Sequence, residues 1–151
     1  MTDNFEKRVL VTGLLNTLND RINLLKADIA GNVQEAADNN KGSAGDKHEV
    51  GFEMQSMEIE KLSLRLIELE KMVFDLSNVQ LTESSQVDTG SLVQTNHGHY
   101  FISIAFGQMK HRDQWVYIIS PQSPLAQALM NKEVGQTVTF NGLDHRILSL
   151  V

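Results

Sequence analysis

Two carboxylic acids three residues apart, Asp46 and Glu49, stand in a stretch that reads GSAGDKHE from Gly42 onward. On a helix, residues at that spacing share a face, so the pair can offer oxygen ligands to one hard cation. The pair also has the form of a capping box, in which an acid at the helix start and a glutamate three residues later satisfy orphan amides. The two readings are compatible, because a carboxylate that caps an amide keeps lone pairs for a metal. Lys41 and Lys47 set positive charge among these acids. Gly42 and Gly45 lack the spacing of a phosphate-cradling loop and follow a helical pattern, so they read as turn glycines. His97 and His99 would make half a metal site on one strand face. With Asn96 before them and Gly98 between, a hairpin turn is the better reading. His48, His111 and His145 show no partner in the sequence, and no serine sits in a G-x-S-x-G elbow.

The elements that must carry these residues are legible from periodicity. Leu15, Leu18, Ile22, Leu25 and Ile29, continuing through Asn32 to Ala36, recur at alternating spacings of three and four. A second seam runs through Phe52, Gln55, Ile59, Leu62, Leu66, Leu69, Val73 and Leu76, and neither stretch contains proline. Between them Asp38 to Gly45 is a turn-forming cluster. The spacing predicts two amphipathic helices of about 33 residues, each roughly 50 Å long, folded back as an antiparallel coiled-coil hairpin. Residues 1–78 would form this arm, with its tip loop at 38–49 and the Asp46 and Glu49 pair at its end. Seams this narrow also leave open a coiled-coil interaction module that zips to another chain.

After Leu76 the texture changes. Short β-type runs are expected at Ser91 to Thr95, Tyr100 to Ala105, Gln114 to Ile119, Thr137 to Phe140 and His145 to Leu150. Asn96 to His99 and Asn141-Gly142 give turn signals. Ser123 as N-cap and Pro124 at the first helical position start one short helix. The expected class is therefore α+β: a helical hairpin, then a small, mostly antiparallel sheet with one helix over residues 79–151. Phe101, Trp115, Tyr117 and Phe140 read as sheet core.

Composition narrows what such a chain does. Thirteen basic against nineteen acidic side chains give a net charge of −6, which argues against a protein that grips duplex DNA. Residues 1–78 carry nine basic and fourteen acidic groups, so most of that charge sits on the hairpin. There is no cysteine, which removes disulfides, thiolate metal sites and cysteine nucleophiles. No run approaches the roughly 20 apolar residues of a membrane helix, and the amino terminus lacks the form of a secretory signal, so a cytoplasmic address is expected.

The run Ile118 to Phe140, IISPQSPLAQALMNKEVGQTVTF, resembles the carboxy-terminal signature of the Gre transcript-cleavage factors. The residues that carry the likeness are Ile119, Ser120, Pro121, Ser123, Pro124, Leu125, Ala128, Leu129, Lys132, Val134 and Gly135, and both prolines of the chain fall among them. The resemblance implies an FKBP-like second domain and a transcription elongation factor that binds RNA polymerase, with its hairpin in the secondary channel. It implies that Asp46 and Glu49 assist the second Mg²⁺ of the polymerase active site, where two metals stabilise both oxygens of an in-line displacement on backtracked RNA. The expected contacts are then Lys41 and Lys47 at the tip and Ser120, Pro121, Ser123 and Pro124 in the second domain. Mg²⁺ would be shared with the polymerase, with no cofactor or metal of the protein's own, because two carboxylates are too sparse a shell. RNA contact would be indirect, with no membrane and no direct duplex DNA binding. The chain would not be an enzyme itself; a prolyl isomerase on the FKBP-like half is the enzymatic alternative. The Gre tip spacing is met by Asp46 and Glu49 in DKHE, whereas a gapless match puts Lys41 and Ala44 at the acid positions. A regulator or inhibitor that occupies the channel without stimulating cleavage is therefore the other reading within the family.

Overall fold

A computed structural model describes the backbone of residues 2–40 and 46–151 and the side chains of 5–38 and 50–151. Two long helices come first, α1 over Thr2–Asn40 and α2 over Asp46–Ser77. Strands follow as β1 (Leu92–Thr95), β2 (Gly98–Ile102), β3 (Gly107–His111) and β4 (Gln114–Ile119), then the short helix α3 (Pro124–Leu129), β5 (Thr137–Phe140) and β6 (Leu143–Leu150). The class is α+β as expected. Among the described residues no helix is long and apolar enough to cross a membrane.

The chain divides into two compact units that do not break at residue 78: Asn16–Val73 form one, and Met1–Leu15 with Phe74–Val151 form the other. In the first, the expected seam is the buried one. Leu18, Ile22, Leu25, Ala36 and Leu69 are buried, and Ile29, Ile59, Leu62 and Leu66 are half-buried. Gln55 donates a hydrogen bond of 2.7 Å to Glu35 across the helix pair. Phe52 departs from the seam and is exposed. The expected loop at Asp38 is instead helical as far as Asn40, and Gln34 donates to Asp38 one turn on at 3.1 Å, which supports the extra residues. Met54, Met57, Leu64 and Ile67 lie exposed on α2.

The second unit is built around a six-stranded sheet in the order β3-β4-β2-β1-β6-β5. Every neighbour is antiparallel except β2 and β4, which pair in parallel with Phe101 opposite Ile118. Because side chains alternate across a strand, Tyr100 and Ile102 fall on one face and Phe101 on the other. On the first face Ile102 joins Val87, Val93, Val138 and Ile147 against Ala126 and Leu129 of α3. On the second, Phe101, Ile118 and Val116 share a side with Met109. The Met109 methyl lies where a side chain on Gly13 would stand, so the glycine lets the first turns of α1 approach this face. Leu10 and Leu14 are fully buried there, and the seam enters this unit through Leu14 instead of Leu15.

Strand β3 was not expected from sequence. Gly107, Gln108 and Lys110 are weak strand formers, and the turn that folds β3 back onto β4 uses Arg112 and Asp113, both at positive φ (48° and 63°), with no glycine to announce it.

Lys7 is the unusual member of this unit, a lysine with no exposed surface. Its ammonium donates to the carbonyls of Gly90 at 3.1 Å and Thr82 at 3.3 Å. Burial pulls its pKa below the ordinary lysine value, and the nearby Glu83 charge opposes that shift. Replacing Lys7 with Met removes the donor and leaves the Gly90 carbonyl without it, which costs about 1–3 kcal/mol. Urea denaturation of Lys7→Met should therefore show a lower midpoint by that amount, and an unchanged midpoint would show that these bonds do not hold the segment.

Candidate functional site

The stretch from Ser120 to Pro124 is a short loop between β4 and α3 whose side chains bond to its own backbone. The Ser120 hydroxyl accepts from the Gln122 amide at 3.0 Å and donates to the Gln122 side chain at 2.7 Å. The Ser123 amide closes the turn onto the Ser120 carbonyl at 3.0 Å. Ser123 caps α3 by accepting from the Ala126 amide at 3.3 Å, and Pro124 follows in the first turn. Gln127 then reaches back to the Pro121 carbonyl at 2.6 Å. The result is a preorganised loop in which Ser120, Pro121 and Ser123 are half-buried and Gln122 and Pro124 face outward.

Beyond α3 the chain is tied into the sheet as firmly. Asn131 takes positive φ at the end of the helix, and its amide donates to the Val87 carbonyl at 2.9 Å. The Val87 amide returns to the Lys132 carbonyl at 2.9 Å, and the Gly135 amide to Ile147 at 2.8 Å. The residues that resemble the Gre signature thus include the backbone connections that close this domain.

Of the tip residues, Asp46 opens α2 and Lys47 and Glu49 follow in its first turn, where the sequence places the helix start. Their side chains lie outside the described residues, and Lys41 lies outside them altogether. Among the described residues no group of three or more His, Asp or Glu is arranged to hold a metal.

The histidines are redistributed relative to the sequence reading. His97 falls in the β1–β2 turn and meets His145 of β6 edge to face at 4.8 Å, while His99 belongs to β2. His145 is buried, with Tyr100 and Phe140 at 6.0 and 6.5 Å and the Thr95 hydroxyl 3.5 Å from its Nδ1. Burial is the main cause that lowers its pKa; the neighbouring His97 adds to this and Asp144 opposes it. His111 also gains a partner, Glu6 at 3.1 Å, and the same carboxylate holds Arg112 at 2.7 Å. Of the four aromatics expected in the core, only Phe101 is fully buried. Phe140 is half-buried, whereas Trp115 and Tyr117 are exposed because β4 lies next to the edge and α3 covers the other end of that face. Tyr117 stacks on Tyr100 at 5.4 Å. No spacing rule links residue 97 to residue 145, since the contact is made by the β1–β6 pairing.

Residues 109–149 match the family model described as "Transcription elongation factor, GreA/GreB, C-term". The Ile118 to Phe140 segment lies wholly inside that span. Among solved structures the chain is similar to the crystal structure of GreA factor homolog 1 (Gfh1) protein of Thermus thermophilus, at 19% identity over 93% of this chain and 92% of that one, with a TM-score of 0.33. No curated protein gives a significant match.

Two outcomes follow from this geometry. Removing the helix cap in Ser123→Ala should lower stability by about 1 kcal/mol in urea melts. A buried histidine whose pKa is lowered favours the neutral ring, so the folded state binds fewer protons than the unfolded one just below the ordinary value of 6.5. Stability should therefore fall as pH drops from 6.5 through the folded pKa, and His145→Gln should reduce that fall between pH 7 and pH 5. An unchanged slope in the variant would show that His145 does not contribute it.

Proposed function

We propose that this chain is a Gre-type accessory factor that binds RNA polymerase and acts on backtracked RNA through the polymerase's own active site. The observation that carries the reading is the GreA/GreB carboxy-terminal match over residues 109–149. Within that span the bonded Ser120 to Pro124 loop supplies a preorganised surface for a protein partner, which limits the ordering cost of docking. Lys41 and Lys47 are proposed as auxiliary contacts near the helical tip.

In this reading Asp46 and Glu49 supply carboxylate oxygens from the start of α2, and the Mg²⁺ they assist belongs to the polymerase. When bound there, that ion stabilises charge on the attacking and leaving oxygens of the scissile phosphate. The acids of this chain orient it, and they act only where another protein already holds RNA and metal. This division of labour suits a chain of net charge −6, which argues against a general grip on the phosphate backbone.

Immobilised full-length protein should retain RNA polymerase from the same source, and adding it to a stalled, backtracked complex should speed RNA shortening. Asp46→Asn and Glu49→Gln should each slow the stimulated reaction by about tenfold or more, a barrier increase of about 1.4 kcal/mol or more, without loss of retention. Retention without stimulation would make the protein a non-cleaving channel regulator, and failure to retain polymerase would remove the reading.

A further inference from the structure

The seam of α2 from Ile59 to Leu69 is covered within the hairpin, yet α2 carries a second apolar stripe. Val50, Met54, Met57, Leu64 and Ile67 recur at spacings of three, four and seven, a heptad pattern of their own. Leu64 stands two residues from both Leu62 and Leu66 of the seam, about 200° around the helix, so this stripe points away from the seam. Met54, Met57, Leu64 and Ile67 are 58% to 70% exposed, whereas a helix on a protein surface ordinarily has one apolar face and turns it inward. A groove of about 670 Å³ runs along the stripe, with Met57, Glu60, Lys61 and Leu64 in its lining.

The second observation is the charge at the centre of this face. The stripe is interrupted between Met57 and Leu64, and the interruption holds Glu60 next to Lys61. Both are exposed, and neither makes an ion pair among the described residues. Arg65, one turn on, is already paired with Glu68 at 3.0 Å.

We propose that this face pairs with the same face of a second copy of the chain, the two α2 helices running antiparallel about a two-fold axis that passes between Glu60 and Lys61. A two-fold contact must be self-complementary, and this register makes it so. Residues equally far on either side of the axis face each other, so Met57 meets Leu64 of the second copy and Met54 meets Ile67 of the second copy. At the axis Glu60 meets Lys61 of the second copy, and symmetry repeats the pair. Glu53 falls opposite Glu68 of the second copy, whose charge its own Arg65 balances. A parallel pairing in register would instead set Glu60 against Glu60 and Lys61 against Lys61, which like charges oppose. Four apolar side chains per copy, over about 20 Å of helix, make an interface at the small end of the range, so the pairing is weak and depends on concentration.

The test is sedimentation equilibrium of the full-length chain at concentrations from about 5 µM to about 500 µM. The mean mass should rise with concentration from the 16.9 kDa of one chain toward twice that value. Leu64→Glu puts a charge into the contact twice and should weaken association at least about 10-fold. Glu60→Lys and Lys61→Glu each set two like-charge pairs at the axis and should each weaken it about threefold or more. Mixed in equal amounts, these two variants should associate with each other about as well as the wild type, because every pair at the axis is then opposite in charge. A wild type that stays monomeric throughout would overturn the pairing and leave this face to a different kind of partner. Association of Leu64→Glu equal to the wild type would overturn it as well, and a mixture no better than its components would overturn the antiparallel register. Circular dichroism checks that each variant keeps its helix; where one does not, the wild-type mass and the remaining variants decide. The measurement contains no polymerase, so its result stands whether or not the chain binds one.

Discussion

An ammonium group removed from water must be met on most sides by acceptors, because the uncompensated charge would cost several kcal/mol. Lys7 meets that demand with two backbone carbonyls, Thr82 and Gly90, more than seventy residues away. Those carbonyls belong to the stretch from Asn78 to Ser91, which has no helix or strand of its own. Its path is set by such single bonds. Gly90 turns at φ 92° where a side chain would meet the Gln80 carbonyl, and its amide donates to Ile102 at 2.7 Å. Ser91 accepts from the Asp88 amide at 2.9 Å, and Val87 is buried in the sheet core.

The sheet uses its two faces differently. One receives α3 and the apolar cluster around Ile102, and the other receives the first turns of α1 through Leu10, Leu14 and the gap left by Gly13. Past the end of α3 the first face is no longer covered by a helix, and aromatic and imidazole rings take over around His145. Rings that pack edge to face exclude water while keeping a polar edge, so this patch holds a buried histidine that makes no ion pair among the described residues. The loop from Ser120 to Pro124 and the segment around Asp88 are instead short irregular pieces between these elements.

A loop whose donors and acceptors are already paired loses little entropy when a partner covers it. With no cysteine in the chain, it offers no thiolate ligand.

The sequence alone determined the features that depend on local repetition. The heptad spacing from Leu18 to Ala36 and from Ile59 to Leu76 identified the buried seam, since every third or fourth residue of a helix meets the same neighbour. Ser123 and Pro124 announced α3 because capping is a contact between residues three apart. The signature around Ser120 to Gly135 was legible for the same reason, as a run of adjacent residues. What only the tertiary structure decided are the meetings between distant positions: Lys7 with Gly90, His97 with His145, and Glu6 with Arg112. Strand β3 belongs with these, because a Gly-Gln-Met-Lys-His run becomes a strand only when β4 offers it an edge. Each such meeting is set by strand order and by the route of an irregular segment, and neither leaves a periodic trace in the chain.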